Sequence, residues 1–325
     1  MSLFSPKENR VRCGRCNTEF DLSKNPDICP LCGFGKHLFE NNSETVSISP
    51  KNETFVTRPQ VNYLSIPNEI NLPGGKIVPD EESKIGLWGM INDLFSGKAL
   101  LRINSNLLLE RKVEFIPLDD VIETSKLVIT QNKLGDLKGF PNPKKESSIG
   151  RLVYHFISGF HKMGLFEVKL EGKPEAENIW KEDWKKILIR PTREGLQFAR
   201  LKNKVFDEKK YNSQVLTAEE KEWLVRYLQK IDKEGFKEYT VLVGVLSFIK
   251  QGNNGNKDLW AWFKKNPDFV SYVKSWSAKK DDPKAFEKQL DNLAQTFSSG
   301  KISLLRELGT IKDKRNDYTV IGDLK

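Results

Sequence analysis

Gly164-Leu165-Phe166-Glu167-Val168-Lys169-Leu170, followed after a polar stretch by Lys186-Ile187-Leu188-Ile189-Arg190-Pro191-Thr192-Arg193-Glu194-Gly195-Leu196-Gln197-Phe198-Ala199-Arg200, is the part of the chain that decides the fold. In the first segment apolar and polar residues alternate, which predicts a strand with one buried face. Lys186–Arg190 reads as the strand that returns. Thr192 is placed to cap the helix that follows, because its hydroxyl can accept an otherwise unpaired N–H of the first turn. Upstream, Ser147 can cap a helix running to Met163. Ile149, Leu152, Val153, Phe156, Phe160 and Met163 form its apolar stripe,. Arg151, Tyr154, His155, Ser158 and Lys162 make up the opposite, polar face, and Gly164 supplies the stop. The predicted order is helix, glycine, strand, loop, strand, helix.

Working outward, residues 35–80 are polar and broken by Pro59, Pro67, Pro73 and Gly74-Gly75, and read as a connector with a short strand near Phe55 or Tyr63,. A helix is expected from about Asp80 to Gly97, with Ile85, Leu87, Trp88, Ile91, Leu94 and Phe95 on one face. Residues 99–116 show no clean period and read as strands or a long loop. A short helix starts after Pro117, and residues 131–145 are loop-like. Downstream, Thr217-Ala-Glu-Glu220 is a capping box that opens a helix to about Lys233. Further helices are expected over Tyr239–Lys250, Leu259–Lys265, Asp268–Trp276 and Ala285–Phe297. After an interruption at Ser298-Ser-Gly300, helix resumes over Ile302–Leu308. Thr310–Ile321 reads as a hairpin turning near Arg315-Asn316-Asp317. Gly74-Gly75-Lys76, Gly97-Lys98 and Gly300-Lys301 lack the glycine spacing and the Ser or Thr of a phosphate loop, and read as turns.

Four cysteines occur, all between residues 13 and 32: Cys13-Gly-Arg-Cys16 and Cys29-Pro-Leu-Cys32. Two Cys-x-x-Cys turns at this separation can point four thiolates at one ion, and predict a tetrahedral Zn2+ site. Four protein ligands close the shell, so the zinc is expected to be structural. Two disulfides are the competing reading, disfavoured by the absence of a secretion signal.

The order around Gly164–Val168 and Ile189–Ala199 resembles the wing and post-wing helix of prokaryotic winged-helix proteins, over roughly residues 80–205. Joined to the cysteine turns, the chain resembles archaeal-looking zinc-ribbon plus winged-helix DNA-binding proteins. The fold class expected is α+β, mainly helical: a zinc ribbon (1–40), a linker (41–79), a winged-helix domain (80–210) and a helical domain ending in a basic hairpin (211–325), which reads as a second winged helix or as a helical bundle trimmed by a hairpin.

The net charge of +9 favours a polyanionic partner,. The resemblance puts one helix in the DNA major groove, and the nucleic-acid residues it selects are Lys144, Lys145, Arg151, His155, Ser158 and Lys162, with Lys312, Lys314 and Arg315 on the terminal hairpin. The acidic residues Glu171, Glu175, Glu177, Glu182 and Asp183 in the first wing oppose phosphate contact there. A protein-binding scaffold subunit and an RNA-binding factor are the alternative functions. With three histidines and no catalytic motif, no enzymatic activity is expected. No run of apolar residues is long enough to span a membrane, and the cytoplasm is the expected compartment.

Overall fold

The computed structural model describes residues 10–12, 19–21, 62–86, 94–132, 156–172, 184–210, 216–314 and 317–324. The chain is mainly helical with small sheets. Strands β1 (Arg10–Arg12) and β2 (Glu19–Asp21) pair antiparallel, with Arg12 opposite Glu19. A first unit then runs through α1 (Leu94–Arg111), β3 (Ile116–Pro117), α2 (Leu118–Gln131), α3 (156–162), β4 (Phe166–Leu170), β5 (Ile187–Pro191) and α4 (Arg193–Arg200). Its three strands are ordered β3-β5-β4, all antiparallel, and Ile189 lies between Ile116 and Val168. The alternation seen in the sequence gives β4 and β5 one buried face and one half-buried face,.

Helix α5 (Lys204–Asp207) and helix α6 (Ala218–Lys233) lead into a second unit. It comprises α7 (Glu238–Lys250), α8 (Asn256–Lys265), α9 (Pro267–Trp276), α10 (Pro283–Leu308), β6 (Ile311–Lys314) and β7 (Asp317–Val320). Gly255, just before α8, bridges to Asp317 of β7, and Tyr318 N donates to Asn254 O at 3.0 Å. The spatial order is therefore bridge-β7-β6. It repeats the β3-β5-β4 order of the first unit, and in both units the bridging segment precedes the second helix. The second unit adds one helix. This correspondence is topological, and no fixed sequence period accompanies it.

The capping signals act as read. The Thr192 hydroxyl accepts from Gly195 N at 3.1 Å. Thr217 and Glu220 close a capping box on α6. Gly164, Gly235, Gly252 and Gly309 take positive φ where helices end.

Several expectations are corrected. Residues 99–116 are mostly helix: α1 runs to Arg111. It carries no readable stripe because it is buried almost all round, Lys98, Arg102, Asn104 and Ser105 included. The helix expected from Asp80 is a short 3-10 turn, Glu82–Ile85, closed by Gly86 at φ 77°. Gly97 does not end a helix. It sits inside α1, where an added Cβ would stand 2.2 Å from the Phe160 ring, so its role is close packing,. Gly97-Lys98 and Gly300-Lys301 lie within helices and are not turns. Ser298-Ser-Gly300 does not interrupt α10, and the Ser298 hydroxyl bonds the Ala294 carbonyl one turn back at 2.6 Å.

Residues 62–80 hold no strand, so none forms at Tyr63. They make a strap bonded to the first unit. Arg193 N donates to Pro73 O at 2.8 Å, Gly75 N to Glu194 Oε2 at 2.7 Å, and Val78 N to Lys162 O at 3.1 Å. A Cβ on Gly75 would lie 1.8 Å from the Gly164 carbonyl, so only glycine fits there.

Buried cations hold the units together. The Lys98 ammonium, fully buried, donates to Glu220 and to Leu201 O. Burial pulls it down to about 8 against the pull of Glu220, so it remains the cation of the pair at neutral pH. All the N–H donors of Arg102 are used: Nε bonds Ala199 O, Nη1 bonds Leu64 O and Asp207, and Nη2 bonds Leu201 O and Asp207,. In the second unit Lys301 donates to both oxygens of Glu238, at 2.8 and 2.7 Å.

Replacing Glu220 by Ala leaves the buried Lys98 without its carboxylate and removes the half of the α6 capping box that binds Thr217 N, and is expected to cost about 3–5 kcal/mol. Replacing exposed Glu222, paired only with Arg226, should cost no more than about 0.5 kcal/mol. Urea unfolding of the two variants measures the contrast.

Burial alone would raise the Asp207 carboxyl, but hydrogen bonds from Arg102 and from Asn203 N overcome it and hold it below its ordinary 3.8. Its stabilising contribution is therefore complete above pH 3.8 and is lost as pH falls through the lower folded value. Asp207→Asn is expected to flatten the acid limb of the stability profile while lowering stability at pH 7; an unchanged acid limb would exclude this linkage.

Candidate nucleic-acid interface

The second unit brings a polar helix face and a basic hairpin onto its surface. Asn266 caps α9, with Pro267 in its first turn. Asp282 caps α10, accepting from Lys284 N and Ala285 N, with Pro283 next. A proline with no N–H to lose is favoured at that position. Phe286, Leu290, Leu293, Ala294 and Phe297 of α10 pack inward, where Phe263, Phe269 and Phe297 meet at ring-centroid distances of 5.3–6.0 Å. From Gly300 to Leu305 the helix is buried all round, so its outward face runs from its start to Ser299 and returns at Arg306.

The stretch before Gly300 exposes Lys284, Lys288, Asn292, Gln295 and Ser299. Steps of four, four, three and four put them on one face. The stripe is about 22 Å long at helical rise. It contains no carboxylate. The acids on the neighbouring edge, Glu287 and Asp291, are both bound by Lys264 of α8. Lys312 and Lys314 are exposed on β6, and Lys274, Lys279 and Lys280 are exposed on the approach to α10. None of these lysines, nor Lys284 or Lys288, has an ion pair among the described residues. Other surface cations do, including Arg306 with Asp313 and Lys250 with Asp323.

The residues selected on the first unit fare differently. Ser158 is 3% exposed, facing the interior and not a groove. Lys162 is bound by Asp80 at 2.9 Å and by Glu82; these carboxylates outweigh its burial and keep its ammonium above the ordinary value. Both positions are corrections to the polar face read for that helix. The strap that covers α3 is distant in sequence, and one helix's periodicity carries no sign of it. Lys144, Lys145, Arg151, His155 and Arg315 lie outside the described residues, as do Cys13, Cys16, Cys29 and Cys32. The α10 stripe was open to discovery in the sequence, since Lys284, Lys288, Asn292 and Gln295 have helical spacing. Splitting the helix at Ser298 concealed its length.

No family model, curated protein or solved structure matches this chain. No helix among the described residues is long and apolar enough to cross a membrane.

β1 and β2 flank Cys13 and Cys16 in sequence, and the donor chemistry of four thiolates suits Zn2+. Metal analysis of purified protein is expected to find one zinc per chain, lost in a Cys13→Ser/Cys29→Ser variant. Metal-free protein with oxidised cysteines would refute the site.

Proposed function

We propose that this protein binds double-stranded DNA, as a regulator or accessory factor in DNA transactions, through two winged-helix units joined to a structural zinc ribbon. The observation that carries this reading is the carboxylate-free stripe on α10, in a unit whose hairpin exposes Lys312 and Lys314, neither in an ion pair among the described residues. In this reading α10 is the recognition helix and the β6–β7 hairpin is the wing. The repeated helix, short strand, helix, helix, hairpin order supports two units of this kind.

The chemistry of the stripe suits a major groove. Asn292 and Gln295 carry amides that can bond the adenine edge at two points, and Lys284 and Lys288 can reach guanine or phosphate. Lys312 and Lys314 add phosphate contacts that set register and carry no sequence information. The major groove of duplex RNA is too narrow for a helix, which favours DNA over an RNA duplex. The first unit has a different task. With Lys162 paired to Asp80 and Glu82 and residues 156–160 of α3 buried, it serves as the frame on which the second unit stands. This burial also favours the second reading, a scaffold subunit whose first unit meets a protein partner.

Lys284→Ala/Lys288→Ala is expected to weaken duplex binding and to reduce the salt dependence of log K by about 1 for each lysine that contacts a phosphate. Titration of labelled duplex by fluorescence anisotropy across a salt series measures both. Unchanged affinity in the variant removes α10 from the interface. No duplex binding by the native protein at low salt would move the scaffold reading to first place.

A further inference from the structure

Trp276 closes α9 with 49% of its surface exposed. The other large exposed hydrophobics among the described residues are aliphatic. Trp223, Trp260 and Trp262, by contrast, pack against the core. An indole left in water gives up the burial that Trp223, Trp260 and Trp262 obtain, which makes its position informative,.

The ring is held in place. It meets Tyr272 at 6.0 Å and 61°, edge to face. Burial pushes the Tyr272 phenol up, helped by Glu82 and Asp80, so the ring beside the indole stays neutral. Those two carboxylates are already bound by Lys162. Just beyond Trp276, the Ser277 hydroxyl bonds Gln289 of α10 at 2.5 Å and ties the turn to that helix. Lys274, Lys279 and Lys280 surround the indole in sequence, all exposed. Asp281 is the opposing exposed charge, while Asp282 is occupied as the α10 cap.

An oriented aromatic face with exposed lysines close to it in sequence matches the chemistry of an unstacked nucleobase and its phosphates: every base has a π face, and stacking tolerates any sequence,. A duplex interior offers no such face, since its bases are stacked on one another. We propose that Trp276 is a stacking platform for an unpaired base, so that the ligand of this protein is duplex DNA with a single-stranded tail or opened end beside α10. The assignment rests on the duplex reading above and narrows it to a class of DNA structure.

The test uses the full chain and three labelled probes: a blunt duplex, the same duplex with an oligothymidine tail, and the tail alone. The native protein is expected to bind the tailed duplex roughly tenfold more tightly than the blunt one. Trp276→Ala should bind both equally, with blunt affinity unchanged, and Trp276→Phe should keep most of the preference. Equal native affinity for the two duplexes, or a preference that survives in Trp276→Ala, overturns the proposal. So does displacement of the tail by polyglutamate as readily as by oligothymidine, which would assign the patch to an acidic protein. If blunt duplex is not bound at all but the tail is, and Trp276→Ala abolishes that, the groove reading fails while the platform stands.

Discussion

Lys98, Arg102 and Lys301 lie where water does not reach them, and the arrangement of the helices follows from how each is satisfied. Arg102 projects from α1 into carbonyls at the C-terminal end of α4, where the helix dipole is negative,. It also engages the strap at Leu64 and α5 at Asp207. Lys98 reaches the first turn of α6, and Lys301 the first turn of α7. Each cation thus fixes the start or end of another helix, remote in sequence. Such pairs add little net stability compared with apolar replacements, but a half-broken one is costly. They therefore specify one arrangement more than they strengthen it. Leu64, Ala199, Leu201 and Asp207 can satisfy Arg102 together only if the strap, α4 and α5 converge on α1.

The strap extends this order to the second unit. Lys237 N bonds Ser83 O at 2.8 Å, and a Cβ on Gly86 would stand 2.3 Å from Glu238 Oε2, beside Lys301. The 3-10 turn at Glu82–Ile85 thus touches the ion pair of the second unit while Asp80 and Glu82 hold Lys162 of the first. An aromatic stack adds to the contact: Phe198 of α4, Trp223 and Tyr227 of α6 lie at 5.0 and 4.8 Å, and the Tyr227 hydroxyl bonds Met163 O. Among the described residues, α10 keeps a polar face that none of these contacts covers.

Elements with one wet and one dry face were readable from the chain. β4 and β5 alternate, α4 and α6 start on side-chain caps, and the terminal hairpin follows its glycine. Elements without that asymmetry were not. Helix α1 has lysine, arginine and asparagine in its interior, so its composition imitates a loop; the partners of Lys98 and Arg102 come from residues tens of positions away. The candidate site divides in the same manner. Lys312 and Lys314 were found by charge in a hairpin. Ser158 and Lys162 were chosen from the polar side of a helix; Ser158 is interior, and Lys162 is bound by Asp80 and Glu82. Trp276 gives no sequence signal, because an aromatic at helical spacing is core more often than surface.

By itself the sequence determined the mainly helical α+β class, the caps and glycine stops, the two hairpin strands and the clustering of four cysteines. These depend on neighbours a few residues apart, where periodicity, φ preference and side-chain capping act directly. Only the tertiary structure decided that Gly97 and Gly300 lie inside helices, that Lys98 and Lys301 are interior cations, and that the free polar face belongs to α10. Those outcomes depend on which distant carboxylate, carbonyl or ring fills the space beside a residue, and local spacing carries no record of that.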